Sequence, residues 1–179
     1  DRDDRAVYET LKPYFGLIDP EIEKAADHLL DYNLFDLKTS STKPDTGYSV
    51  NLFSFGDAFI FNSPVNNYSD FFTYIHEFGH YTYDYYSDEN SVDTISNMDT
   101  MEIQSQGLEM LFTDYYEDIF DKETGSDLET LEVYSVMGNI ADECIITEFE
   151  IYSARHPEAT VEELGKVYFN IAEKYGYDY

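Results

Sequence analysis

Apolar positions along this chain recur mostly at helical spacing, interrupted once by a short stretch of alternation. Residues 3–15 read as a helix ending near Pro13, with Val7, Leu11 and Phe15 on one face. Asp19-Pro20-Glu21 is a helix start, a cap followed by Pro at the first helical position and an acid in the first turn. That helix runs to about Tyr32. Residues 36–47 are a polar loop. Tyr48–Phe55 and Ala58–Asn62 read as two strands joined by a two-residue turn at Gly56-Asp57. Neither face of the hairpin is strongly polar, so both are expected to be largely covered. An exposed edge there is where an extended peptide could add as a strand.

The longest helical signals follow. About Tyr68 to Tyr86 forms one helix, with a polar break at 87–91 and a second helix from about Asp99 to Phe120. Residues 122–125 close that helical hairpin. Ser126-Asp127-Leu128-Glu129 has the capping-box pattern and opens a long helix to about Ala154. Leu128, Leu131, Met137, Ile140, Ile145 and Phe149 form its stripe. Arg155-His156-Pro157 ends it, and Thr160-Val161-Glu162-Glu163 caps a last helix to about Tyr175. No internal repeat is visible. The class is mainly α with one small β-hairpin.

The chemistry lies in Tyr74-Ile75-His76-Glu77-Phe78-Gly79-His80-Tyr81. Residues four apart share one helix face, with β-carbons roughly 5–6 Å apart. His76 and His80 can therefore hold one small metal ion. Zinc suits neutral imidazole and makes a water acidic enough to attack a carbonyl. Glu77 leans to the same side, as the general base of a zinc peptidase does. Phe71, Phe72, Ile75, Phe78 and Tyr81 make the helix too apolar for a solvated face. Gly79 costs about 1 kcal/mol against Ala inside a helix, which predicts a close approach by another element.

A catalytic zinc takes three protein ligands. His28 and His156 are poorly placed, one reading as a core or surface residue and the other as a loop residue. A carboxylate is therefore expected. Asp84 shares the helix face, but one straight helix rarely supplies all three ligands. The next helix offers Asp99, Glu102 and Glu109, and Glu102, Ser105, Gln106 and Glu109 share a stripe. Spacing leaves Glu102 and Glu109 both open, with Glu102 preferred and Glu109 and Ser105 as outer partners.

Composition narrows the remaining possibilities. Lys and Arg number 10 against 38 Asp and Glu, a formal charge of −28. Such a surface repels nucleic acid and anionic membranes. Hydrophobic residues at 42% and aromatics at 17% argue for a packed core rather than disorder. Cys144 is the single cysteine, so no internal disulfide can form, which fits a reducing cytoplasm. Among Ile140, Ile145 and Ile146 it reads as a buried, inert thiol.

His76-Glu77-Phe78-Gly79-His80, followed by Glu102-Ile103-Gln104-Ser105, resembles the thimet oligopeptidase and oligoendopeptidase F family of zinc peptidases. Thr46-Gly47-Tyr48, Phe59-Ile60-Phe61-Asn62 and Thr147-Glu148-Phe149-Glu150 resemble further family segments. The resemblance implies a zincin-like helical domain with the hairpin beside the metal helix. It implies His76, His80 and Glu102 as zinc ligands, Glu77 as base, and short peptides as substrates. It also implies that residues 1–179 are a single metal-binding, catalytic portion of a larger peptidase. The family's His- and Tyr-rich segment is expected beyond Tyr179, so the chain alone is expected to be weak or inactive. The competing expectation is a zinc-binding or interaction module without turnover.

Overall fold

In the computed structural model, residues 4–44, 46–87 and 100–178 are described. Two helices open the chain, α1 (Asp4–Ile18) and α2 (Pro20–Tyr32). Asp19 caps α2 by accepting the Glu21 N–H at 2.8 Å, and Asn33 ends it in the left-handed region at φ 52°. Contrary to expectation, α1 does not stop near Pro13 but carries it inside the helix. Continuation seats Phe15, which is fully buried and stacked on Phe78 with ring centroids 4.2 Å apart. That burial offsets the hydrogen bond that Pro13 cannot donate.

Three strands make one small sheet in the order β1-β3-β2: β1 (Phe35–Asp36), β2 (Gly47–Leu52) and β3 (Asp57–Asn62). β2 and β3 are antiparallel, with Tyr48 opposite Phe61 and Leu52 opposite Asp57. β1 straddles the start of the loop expected over residues 36–47. At two residues it is too short to show alternation, and its parallel pairing to β3 defines it. The turn is also longer than expected. Residues 53–56 form it, with the Phe55 N–H bonded to the Leu52 carbonyl at 2.7 Å and Gly56 at φ 63°.

The two faces of the hairpin differ, which corrects the expectation that both are covered. Ala58, Ile60 and Asn62 are buried, whereas Tyr48 and Val50 are 46% and 40% exposed. A single helix layer explains this. Among the described residues α3 (Ser69–Tyr86) packs on one face only, and the order β1-β3-β2 makes β2 an edge strand.

Tyr74, Ile75, Phe78 and Tyr81 of α3 are buried at the centre of this unit. α4 (Ile103–Phe112) lies across α3 and is followed by a 3-10 turn at 113–115 and α5 (Tyr116–Ile119). The expected helix over 99–120 is thus shorter and broken, and Asp99 and most of the polar break fall outside the described residues. The interruption accompanies Phe112 and Tyr116 both packing on Phe71, at 6.1 and 5.5 Å between centroids.

Residues 121–179 form a second compact unit of α6 (Lys122–Arg155) and α7 (Val161–Lys174). Residues 122–125 are the first turn of α6 rather than a hairpin loop. Asp121 captures the N–H groups of Glu123 and Thr124, each at 3.1 Å, so the helix starts one turn before the Ser126 pattern. The expected box at Thr160 is present, with Glu163 reaching back to the Thr160 N–H at 2.8 Å. Leu128 and Ile145 of the α6 stripe are buried, but Leu131, Met137 and Ile140 are exposed. Cys144 is half-buried rather than buried. No helix among the described residues is long and apolar enough to cross a membrane.

The contact that fixes α3 against α4 is at Gly79. A Cβ there would stand 2.6 Å from the Ser105 Cα and 2.9 Å from the Gln104 carbonyl oxygen. Both obstacles are backbone, so the helices must separate to accept it. Gly79→Ala is expected to destabilise the chain by roughly 1–2 kcal/mol, overpacking outweighing the gain in helix propensity. Gly107→Ala on α4, where a Cβ meets nothing within 4 Å, is expected to gain up to about 1 kcal/mol. Urea unfolding of both variants checks the contrast, and equal shifts would remove the close-approach argument.

Candidate metal centre

α3 sets His76 and His80 one turn apart, and the close approach at Gly79 brings the start of α4 over them. Glu102 stands at the N-cap of α4, with φ −95° and ψ 1°, outside the regular helix. Its Oε2 lies 3.2 Å from His76 Nε2 and 3.3 Å from His80 Nε2, and those two nitrogens are 3.2 Å apart. The three atoms form a nearly equilateral triangle. Bonds of about 2.0–2.1 Å to a tetrahedral zinc place neighbouring ligand atoms about 3.3–3.4 Å apart. The donor set therefore fits zinc in size and in chemistry, and these three residues could hold a metal ion.

Each member of the triangle meets a side chain from α4. Ser105 Oγ, fully buried, donates to Glu102 Oε2 at 2.7 Å. Glu109 Oε1 is 2.6 Å from His76 Nδ1, on the far side of the ring from Glu102. The Gln104 amide is 3.4 Å from His80 Nδ1. Glu109 is thus placed against an imidazole rather than in the triangle. Asp84 is also apart, accepting a 3.4 Å hydrogen bond from Asn51. His28 pairs with Asp57 at 3.2 Å, and His156 lies on Tyr152 with its Nδ1 2.9 Å from that residue's carbonyl.

Glu77 projects between α3 and β2. Gly47 permits this, because a Cβ there would lie 2.5 Å from Thr73 Cγ2 and 3.2 Å from Glu77 Oε1. The Ser49 backbone of β2 lies close enough to the Glu77 carboxylate to favour its charged form, while Glu77 Oε2 is buried with no partner among the described residues. A cavity of about 510 Å³ opens over the histidines, Glu77 and Glu102, with Ser49 and Asn51 of the sheet edge along its side. The strand contribution and the Gln104 contact had no sequence signal, since both depend on how α4 and β2 dock on α3.

Burial pushes the Glu77 carboxyl up to about 7, against the opposing pull of His76 and the Ser49 backbone. Burial also lowers His80. His76 is raised overall, because the hydrogen bond and charge of Glu109 outweigh burial. In the metal-free chain, folded Glu77 holds its proton to higher pH than unfolded Glu77. Stability from this group is therefore lost as pH rises from about 4.5 to about 7. Glu77→Gln is expected to flatten that decline, by roughly 2 kcal/mol at pH 8 relative to pH 5. Urea unfolding at stepped pH without metal measures it, and parallel curves for both chains would contradict the burial argument.

Comparison with known proteins gives the family of the chain. The family model of peptidase family M3 matches residues 14–178. No curated protein sequence matches the chain. Among solved structures, one described as an oligoendopeptidase F from Bacillus anthracis str. Ames is 22% identical, with a TM-score of 0.80 over 98% of this chain and 32% of its own. PZ peptidase A with an inhibitor is 21% identical, with a TM-score of 0.81 over 98% of this chain and 31% of its own. The chain therefore spans about a third of the length of these structures. It belongs to peptidase family M3.

Proposed function

We propose that this member of peptidase family M3 hydrolyses short peptides, with a zinc ion held by His76, His80 and Glu102 and with Glu77 as general base. The observation that carries the reading is the triangle of two imidazole nitrogens and one carboxylate oxygen beside the free, buried oxygen of Glu77. When bound, zinc supplies Lewis acidity to a scissile carbonyl and to water. Glu77 Oε2 accepts a proton from the attacking water and passes it to the departing amine, while the Ser49 backbone favours the charged form of the carboxylate. With a divalent cation held by His76, His80 and Glu102, Glu77 would titrate below its metal-free value and stay ionised as the base. The edge of β2, unpaired among the described residues, offers backbone groups to an extended peptide alongside the cavity.

The charge of −28 disfavours nucleic acid and anionic membranes as partners, and the lone half-buried cysteine suits a cytoplasmic setting. The relatives in the structural comparison are about three times as long as this chain. Residues 1–179 are accordingly proposed as the metal-binding portion of a larger peptidase, with weak turnover by themselves. The same observation supports the second reading, a zinc-binding module without turnover.

One zinc per chain is the expected stoichiometry by metal analysis. Glu102→Ala should weaken binding strongly, whereas Asp84→Ala should change it little; the reverse order would overturn the ligand assignment. In a peptidase containing this chain, Glu77→Gln should retain zinc and lose hydrolysis by about 10²–10⁴-fold, the usual contribution of a general base. Near-normal turnover of a quenched short peptide would remove Glu77 from that role.

A further inference from the structure

We propose that Gln104 is a positioning residue for His80 and sets how tightly the proposed zinc is held, an inference that rests on the zinc reading above. An imidazole that gives one nitrogen to a metal carries its proton on the other, and that N–H needs an acceptor. His80 directs Nε2 at His76 and Glu102, which leaves Nδ1 facing α4. There Gln104 Nε2 stands 3.4 Å away, the donor end of an amide for which His80 is the only hydrogen-bond partner among the described residues.

The contact completes a pattern. Ser105 bonds to Glu102 and Glu109 to His76, so with Gln104 all three groups of the triangle are braced from the first two turns of α4. Gln104 is held at its root, because its backbone carbonyl lies against Gly79. Gln104 also borders a second cavity, about 500 Å³, whose lining is mixed: Ile22, Leu108 and Leu111 with the hydroxyl-bearing Thr82 and Tyr86.

An amide suits both states of the site. Its NH₂ can donate to a bare Nδ1, and its oxygen can accept from Nδ1–H after a half-turn of the terminal torsion. The helix need not move. Glu109, as a carboxylate, only accepts when ionised and gives His76 the stronger brace. The two histidines are therefore unequally supported, with His80 on the weaker, neutral partner.

The test is a zinc titration of the metal-free 179-residue chain against a competing chromophoric chelator. It compares wild type, Gln104→Leu and Gln104→Glu, with the visible absorption of the cobalt(II)-loaded chains as a second readout. Gln104→Leu is expected to weaken zinc about tenfold or more, in the range lost with such outer partners, and to shift the cobalt bands. Gln104→Glu is expected to bind at least as tightly as wild type and to restore the bands. A merely structural role predicts no such order, since Leu and Glu are both close to Gln in size. If wild type binds no zinc, the zinc reading fails and this inference with it. If wild type binds zinc and Gln104→Leu matches it in affinity and spectrum, the Gln104 assignment alone is overturned. Should Gln104→Leu fail to fold, Gln104→Glu decides, and a tenfold loss there overturns the proposal.

Discussion

The backbone contact between α3 and α4 at Gly79 is the constraint on which the candidate centre depends. It sets the start of α4 close enough for one carboxylate to reach two imidazoles, which no residue on α3 alone does. With the Gly79 hydrogen facing the Ser105 backbone, Glu102, Gln104, Ser105 and Glu109 are each placed by one rigid body. Van der Waals exclusion at a single Cα therefore governs an arrangement whose chemistry is electrostatic. The aromatic cluster of Phe15, Phe78 and Phe112 supports it from the other side of α3, with ring centroids 4.2 and 5.3 Å apart.

A second close approach places the base. Gly47 lets β2 come up to Thr73 and Glu77, and the Ser49 backbone then favours the charged form of a carboxylate that burial pushes toward protonation. Glu77 is thus shared between helix and sheet edge. Two glycines, one on each flank of α3, bring α4 to the metal-binding face and β2 to the base.

The sequence made the α3 centre legible because His76, Glu77 and His80 lie on one element, where four-residue spacing fixes their relation. The cost of Gly79 likewise pointed to a close approach, and one is present. Spacing could not separate Glu102 from Glu109, which share a stripe. What separates them is that Glu102 sits at the N-cap with ψ near zero, while Glu109 lies inside the helix against the far nitrogen of His76. Elsewhere local signals were outweighed by tertiary ones. Pro13 stayed inside α1 because Phe15 is wanted in the core, and Asp121 started α6 before the more conspicuous Ser126 pattern. The exposed face of β2 was hidden because Tyr48 and Val50 are apolar whether or not anything covers them. Gln104 carried no signal, because a neutral side chain in a first helical turn becomes notable only once His80 is known to face it.

X-ray absorption of the zinc-loaded chain most directly tests whether α4 completes a centre begun on α3. A centre built by both helices gives a first shell of nitrogen and oxygen only at about 2.0–2.1 Å, with multiple scattering from two imidazoles. Glu102→Ala is then expected to change this shell while Glu109→Gln leaves the two-imidazole pattern in place. Sulfur in the shell, a single imidazole, or a spectrum indifferent to Glu102 would contradict such a centre.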